Sequence, residues 1–367
     1  MKTRILTHIA LFTLAATGGW AVERIPTGAM SEGVAINPIT KIAVTTNMEA
    51  GTLSVIDLQT RQLVRTIEVG GTPAGPAIET SRNEVVYSDK ADNTMVIWSL
   101  ADDGGEVARL PVGTNPSCVG ISNDAQIAVA ANVDDNSVSV VDLSSHTVEH
   151  TIPVGPLPIC MHYSINPNDM TALVTSAQDG TLQVLDIATG AVLNTISVGN
   201  FPISASRNVQ TNQTIVPLNA DNAVAIVDLN SGAVVHTVPV GLAPACSVID
   251  EEANVAYVSN LGEGSVSAVN MATGAVLGTV GGLGLEPQCM AFDESQDLVL
   301  VTSHSGEIWL LETSEIIGST FTPTAVSAES WGQVKYLCCP MHGTTESADP
   351  ALKNSTNSAP ESSTHTH

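Results

Sequence analysis

Aromatic residues and positive charges are both scarce in this chain of 367 residues. Phe, Trp and Tyr together make up 3% of the sequence, and 12 Lys and Arg stand against 37 Asp and Glu, for a formal net charge of −25. A field of that sign repels phosphate backbones and attracts cations, so general nucleic-acid binding is excluded. Because 43% of the residues are hydrophobic and only 13% are charged, a coiled coil and wholesale disorder are excluded as well.

Several motifs that would indicate a cofactor or a catalytic centre are missing from the sequence. There is no Cys-x-x-Cys-His, so covalent haem is not predicted, and no Walker or dinucleotide loop, so no nucleotide is predicted. No serine stands in a nucleophile elbow. Nothing visible in the sequence therefore requires catalysis, although a site assembled from distant segments stays open.

A signal peptide is predicted over residues 1–21. Two cations, Lys2 and Arg4, precede an apolar run, and Gly19 and Ala21 are small residues of the kind that a signal peptidase requires. The mature chain is expected to begin directly after this segment and to be periplasmic or secreted. No later stretch is apolar enough to span a bilayer, so no transmembrane segment is predicted in the mature chain.

A repeat of about 43 residues organises the chain and predicts its fold. Each unit contains four short extended runs, for example CVGIS, QIAVAAN, SVSVVDL and TVEHTIPVG in the third, separated by Asn, Asp, Ser and Gly. No run has helical length. Seven such units predict an all-β, seven-bladed β-propeller of four-stranded blades over residues 22–325. The repeated glycines are Gly28, Gly70, Gly113, Gly155, Gly199, Gly241 and Gly284.

An aspartate recurs about 29 residues after the repeated glycine in several units, as Asp57, Asp142, Asp186 and Asp228. Turn formers follow it, as in DIATG and DLNSG. Aspartate side chains accept hydrogen bonds from nearby backbone amides in such turns. The series is therefore predicted to be turn chemistry and not a ring of catalytic carboxylates.

The units resemble the YVTN-repeat family of seven-bladed propellers. The segments TIPVG, TISVG and TVPVG stand where that family has its outer strand, VSVVD and VAIVD where it has its third strand, and AYVSN at 256–260 is closest to its name-giving strand. The resemblance covers residues 25 to about 323 and implies an exported or surface protein. Related propellers include lactonases and parts of periplasmic oxidoreductases, so the resemblance leaves the function open.

Two segments compete to close the ring of blades. ERIPTG, near the start of the predicted mature chain, reads like an outer strand without a blade of its own, and IIGSTFTPT at 316–324 could fill the same place. The N-terminal segment is favoured, because it joins both ends of the chain to one sheet.

Four cysteines share one position of the repeat, five residues after the glycine. In a propeller this position begins the innermost strand, so the thiols are predicted to gather near one mouth of the central channel. Soft donors stand nearby in the sequence: Met161 and His162, Met290, and His304 in a loop of the same face. The cysteines are Cys118, Cys160, Cys246 and Cys289, and Gly33, Gly75 and Ser204 occupy the position elsewhere.

Three interpretations of these cysteines stay open at this stage. The first interpretation is a site for Cu(I), or secondarily Zn(II), because thiols and thioethers select soft ions. Small buried residues that pack adjacent inner strands are the second. Disulfides are the third, because the chain is expected to be exported and Cys118 with Cys160, and Cys246 with Cys289, lie on adjacent blades.

The segment YLCCPMHG at 336–343 lies in a Ser-, Thr- and Asn-rich tail predicted over 326–367 to be mostly disordered. It resembles the heavy-metal-binding motif Tyr-x-Cys-Pro-Met-His-Pro of metal efflux proteins. The resemblance implies Cys339, Met341 and His342 as ligands, with Cys338 as an additional thiol and Gly343 in place of the usual proline. The alternative is a disulfide involving Cys338 or Cys339.

These patterns predict an exported propeller that binds or sequesters a soft metal ion such as copper, serves as an interaction scaffold, or does both. The expected partners are the metal ion and a protein on a propeller face, and the chain is expected to be a monomer. A lactonase-like hydrolase or a copper-dependent oxidase with its site at the channel mouth, and a metal-free protein-binding scaffold, are the alternatives.

Overall fold

The computed structural model describes residues 23–161, 164–284 and 286–321. Its strands form seven antiparallel sheets arranged in a ring, in which the innermost segments of neighbouring blades lie against one another. The all-β, seven-bladed propeller predicted from the repeat is thereby confirmed. Among the described residues, no helix is both long and apolar enough to cross a membrane.

The first three blades are regular four-stranded meanders that run outward from the axis. The fragment β1 (Glu23–Pro26) precedes them and belongs to another sheet. Their strands are β2 (Ser31–Asn37), β3 (Ile42–Asn47), β4 (Thr52–Asp57), β5 (Gln62–Glu68), β6 (Pro73–Glu79), β7 (Glu84–Asp89), β8 (Thr94–Ser99), β9 (Glu106–Pro111), β10 (Pro116–Ser122), β11 (Ile127–Asn132), β12 (Ser137–Asp142) and β13 (Thr147–Pro153).

The remaining blades repeat this order, with an irregular innermost strand in blades four and five. In blade four that strand is represented by isolated bridges from Pro158 to Ser176 and from Asn166 to Thr171. The elements are β14 (Thr171–Ser176), β15 (Thr181–Asp186), β16 (Ala191–Ser197), β17 (Ser206–Asn208), β18 (Gln213–Leu218), β19 (Ala223–Asp228), β20 (Ala233–Pro239), β21 (Pro244–Asp250), β22 (Val255–Asn260), β23 (Ser265–Asn270), β24 (Val276–Gly281), β25 (Pro287–Asp293), β26 (Leu298–Ser303), β27 (Glu307–Glu312) and α1 (Thr313–Ile316).

Burial along the strands follows from their position in the ring. The second strands β7 and β11 are buried at every residue, because both faces pack against neighbouring blades. The outer strand β5 alternates between exposed and half-buried residues, because its outward face meets solvent. The hydrophobic clusters consist of side chains from two adjacent blades, so the core is a set of seven interblade layers.

The ring closes through β1, which pairs with β27 in the last blade. Ile25 is buried against Ile308 and Leu310, and Arg24 lies 3.2 Å from Glu307. The prediction of an N-terminal closing strand is confirmed. The competing C-terminal segment lies elsewhere, since Gly318 donates its backbone N–H to Leu277 at the edge of blade six.

The repeated aspartates begin turns, as predicted. Asp57 accepts backbone N–H groups from Gln59 and Thr60 at 2.8 and 2.9 Å, and Asp142 does the same for two serines. The backbone hydrogen bond from Thr60 is the main cause that lowers the pKa of Asp57. These carboxylates are thus occupied by their own turns.

In three blades, a buried asparagine at the end of the second strand forms hydrogen bonds with side chains of the third strand of the same blade. Asn132 donates to the hydroxyls of Ser137 and Ser139, both at 2.9 Å, and accepts the backbone N–H of Gly113 at 3.1 Å. Asn47 and Asn260 make the same pair of donations in their own blades.

Asn132→Ala is expected to lower the free energy of unfolding by about 3 kcal/mol, because it leaves buried hydroxyls and an amide without their partner. Equilibrium unfolding in urea measures the loss. Asn168→Ala, at an exposed position, is the control and is expected to change stability by less than about 0.5 kcal/mol. Equal stability of the two variants would show that the buried asparagine is dispensable.

Candidate functional site

One end of the central channel is lined by the four repeat cysteines. They surround a cavity of about 40 Å³, here called the thiol mouth. Its walls come from six of the seven blades, so it lies on the ring axis. The lining residues are Glu32, Cys118, Ile159, Cys160, Ile203, Ser204, Ala245, Cys246, Gln288 and Cys289. The prediction that the repeat gathers these thiols at one mouth of the channel is confirmed.

The four thiols form two pairs, each on adjacent blades. Cys246 and Cys289 have their sulfur atoms 3.6 Å apart. Cys118 and Cys160 face each other through an isolated parallel bridge between blades three and four. Ser204, whose hydroxyl donates to the carbonyl of Ala245 at 3.0 Å, occupies the same repeat position on blade five and separates the pairs.

In several blades a hydroxyl of the preceding blade holds the start of the innermost strand. The Ser259 Oγ accepts the N–H of Cys246 at 3.0 Å and donates to the carbonyl of Gln288 at 3.0 Å. In the same way, the hydroxyl of Thr175 in blade four donates to the carbonyl of Ile203 in blade five. The hydroxyl of Ser259 thus connects the backbone that carries Cys246 to the backbone that carries Cys289.

Two of the thiols are held in their protonated form. Hydrogen bonding with Cys118, followed by burial, raises the pKa of the Cys160 thiol well above its usual range. Hydrogen bonding with Cys289 and burial do the same for the pKa of Cys246. An ion that binds here must therefore displace protons.

The other predicted soft donors do not line the thiol mouth as the structure describes it. Met161 and Met290 are fully buried in interblade cores, because the residue after each cysteine points away from the axis. His304 is held through Nδ1 by Glu286 at 3.1 Å. Within the described residues, no group of three or more His, Cys, Asp and Glu side chains is arranged around one metal position.

Several predictions fall outside the described residues: the signal peptide at 1–21, His162, the tail at 326–367, and the motif residues Cys338, Cys339, Met341 and His342.

Two polar side chains of the thiol mouth were missed by the sequence reasoning. Glu32 accepts Lys90 Nζ at 3.2 Å through Oε1, while its Oε2 and the Nε2 of Gln288 are buried without a hydrogen-bond partner among the described residues. Both stand four residues after the repeated glycine, directly before the cysteine position. Extending the repeat position by one residue would have found them.

A larger cavity, of about 220 Å³, lies at the opposite end of the channel. Arg207 lies in its wall with 3% of its side chain exposed and donates to Thr171 at 2.7 Å and Asn212 at 2.5 Å. Burial lowers the pKa of Arg207 and raises that of Glu251, which lines the same cavity. No sequence motif marks these residues.

Comparison with known proteins identifies the architecture. A solved structure of Kuenenia stuttgartiensis hydrazine synthase is similar, with a TM-score of 0.69 and 16% sequence identity, over 82% of this chain and 99% of that chain. The similarity is one of fold. No family model matches the sequence, and no curated protein matches it.

Proposed function

We propose that this protein is an exported propeller scaffold that binds a soft metal ion of the Cu(I) type at its thiol mouth. The observation that carries the proposal is the pair Cys246 and Cys289, whose sulfur atoms lie 3.6 Å apart beside a cavity that all four thiols share. Metal–sulfur bonds of about 2.3 Å let one ion bridge sulfur atoms as far as about 4.6 Å apart. Thiolate pairs are the donors that Cu(I) prefers.

Charge and surroundings support the same conclusion. The formal net charge of −25 concentrates cations around the molecule. Because a Cu(I) ion held by two thiolates leaves a net negative site, a nearby hydrogen-bond donor stabilises it, and the amide of Gln288 in the cavity wall is such a donor. The rigid ring fixes this arrangement before the ion arrives.

We further propose that the tail motif supplies a second set of ligands, Cys338, Cys339, Met341 and His342, that captures the ion before transfer to the ring. A thiolate, a thioether and an imidazole within a few residues suit the same soft ion. We also propose membership of the YVTN-repeat family, supported by the segment VSVVD, which lies in the third strand β12, and the segment TIPVG, which covers the end of the outer strand β13.

Cu(I) titration of the reduced full-length protein under anaerobic conditions, against a competing chelator, tests the proposal. The double variant Cys246→Ser, Cys289→Ser is expected to bind Cu(I) about 100-fold more weakly at the ring, since it lacks both bridging thiolates. The tail variant Cys338→Ser, Cys339→Ser is the matched control, because it removes two thiols and leaves the ring unchanged.

The outcomes separate the two sites. A ring site that is retained by the tail variant and lost by the ring variant, which then keeps only the copper bound by its tail, supports the thiol mouth. Copper lost only by the tail variant would refute the ring site, and no copper in any form would refute the metal function and leave a protein-binding scaffold. Preferential uptake of Zn(II) would refute the assignment to a Cu(I)-type ion.

A further inference from the structure

The four thiols of the mouth differ in their access to solvent. Cys160, Cys246 and Cys289 are buried, whereas Cys118 is half-exposed. The cavity beside them, at about 40 Å³, is too small to admit a disulfide reagent of the glutathione type. A reagent larger than water therefore reaches this cluster first at the sulfur of Cys118.

Cys118 and Cys160 also meet the geometric requirement for a disulfide. They form a parallel bridge, which sets neighbouring strands about 4.8 Å apart. Disulfides join residues whose Cα atoms are separated by about 4.4–6.8 Å. The neighbouring thiol of Cys118 is the main cause of the raised pKa of Cys160.

We propose that Cys118 and Cys160 form a reversible disulfide between blades three and four, entered through Cys118. The inference goes beyond the proposed metal binding, and its test contains no metal. The oxidant is a small-molecule disulfide of the oxidised glutathione type.

The reaction is a two-step exchange. The thiolate of Cys118 attacks one sulfur of the reagent, which breaks the reagent's S–S bond, forms a mixed disulfide on Cys118 and releases one thiol. The sulfur of Cys160 then displaces the second half of the reagent. Two electrons pass to the reagent, the two protons of the protein thiols end on its two released thiols, and one S–S bond has replaced another.

Closing this pair leaves Cys246 and Cys289 as thiols, because these two are only 6% and 5% exposed, whereas Cys118 is half-exposed. Ser204 stands between the two pairs on blade five and has no sulfur to pass an exchange onward. The ring therefore holds one pair that responds to redox conditions and one that does not.

The test uses the full-length protein carrying Cys338→Ser and Cys339→Ser, so that only ring thiols react. After exposure to oxidised glutathione, alkylation in denaturant and peptide mass mapping, we expect Cys118 and Cys160 joined, and Cys246 and Cys289 alkylated. With Cys160→Ser, the mixed disulfide on Cys118 is expected to accumulate, a product that a packing role would not give. With Cys118→Ser, no ring thiol is expected to be lost.

Cys246→Ser is the matched control and is expected to leave the reaction unchanged, and circular dichroism checks that each variant is folded. Should Cys160→Ser be unfolded, Cys160→Ala replaces it in the same assay. Oxidation of Cys246 and Cys289 first, survival of all four thiols in the folded protein, or absence of the mixed disulfide in both folded Cys160 variants would overturn the proposal.

Discussion

Ile25→Asp is expected to lower the free energy of unfolding by about 4 kcal/mol, through loss of a buried side chain and burial of an unpaired carboxylate. Ile25 is 5% exposed and packs in the layer formed with Ile308 and Leu310. It is the buried residue of β1, the four-residue strand that closes the ring. A carboxylate there should detach β1 and leave the edge of β27 unpaired.

Equilibrium unfolding in urea measures this loss, and limited proteolysis near residue 25 measures detachment of the strand. Pro26→Asp places the same charge on the neighbouring residue, which is exposed. This control is expected to cost less than about 1 kcal/mol. Equal stability of the two variants would show that β1 does not hold the ring closed.

Gly75→Ala is expected to cost about 3 kcal/mol and to displace Cys118 from the thiol mouth. Gly75 has a φ of +45°, where a residue with a Cβ is strained by about 1–2 kcal/mol. A Cβ built there would overlap the Cα of Cys118 and lie 2.9 Å from its sulfur, so the neighbouring strand must move. Such overpacking adds about 1–3 kcal/mol.

The unfolding free energy and the reaction of Cys118 with oxidised glutathione report the two effects of Gly75→Ala separately. Gly105→Ala is the control, because a Cβ at Gly105 meets nothing within 4 Å. Wild-type stability and an unchanged Cys118–Cys160 disulfide in Gly75→Ala would show that blade two can yield at this contact. Altered exchange with preserved stability would assign the main effect to the position of Cys118.

The thiol mouth shows which residues of a site the repeat spacing can predict and which it cannot. Counting from the repeated glycine predicted correctly that four cysteines meet on one face. The same count predicted that Met161 and Met290 lie beside these cysteines, but the structure buries both methionines between blades. The reason is the alternation of a strand, in which successive side chains point to opposite faces.

The role of Ser259 could not be read from the sequence, although it is the serine of the AYVSN segment. Its hydroxyl accepts from Cys246 in its own blade and donates to Gln288 in the next. The hydrogen bond to Gln288 depends on how closely two blades approach. No local pattern specifies that distance.

The sequence by itself determined the number of blades, the order of strands within each blade and the turns that begin at Asp57 and its equivalents. These features depend on contacts within one repeat of about 43 residues, where spacing and turn chemistry act locally. The sequence offered two candidates for the closing strand and favoured the correct one, while the tertiary structure alone decided the 3.6 Å approach of the Cys246 and Cys289 sulfur atoms and the burial of Glu32 and Gln288 beside them. Those features are set by the curvature of the ring and the packing of blades that are distant in sequence, because only a closed ring brings them to one axis.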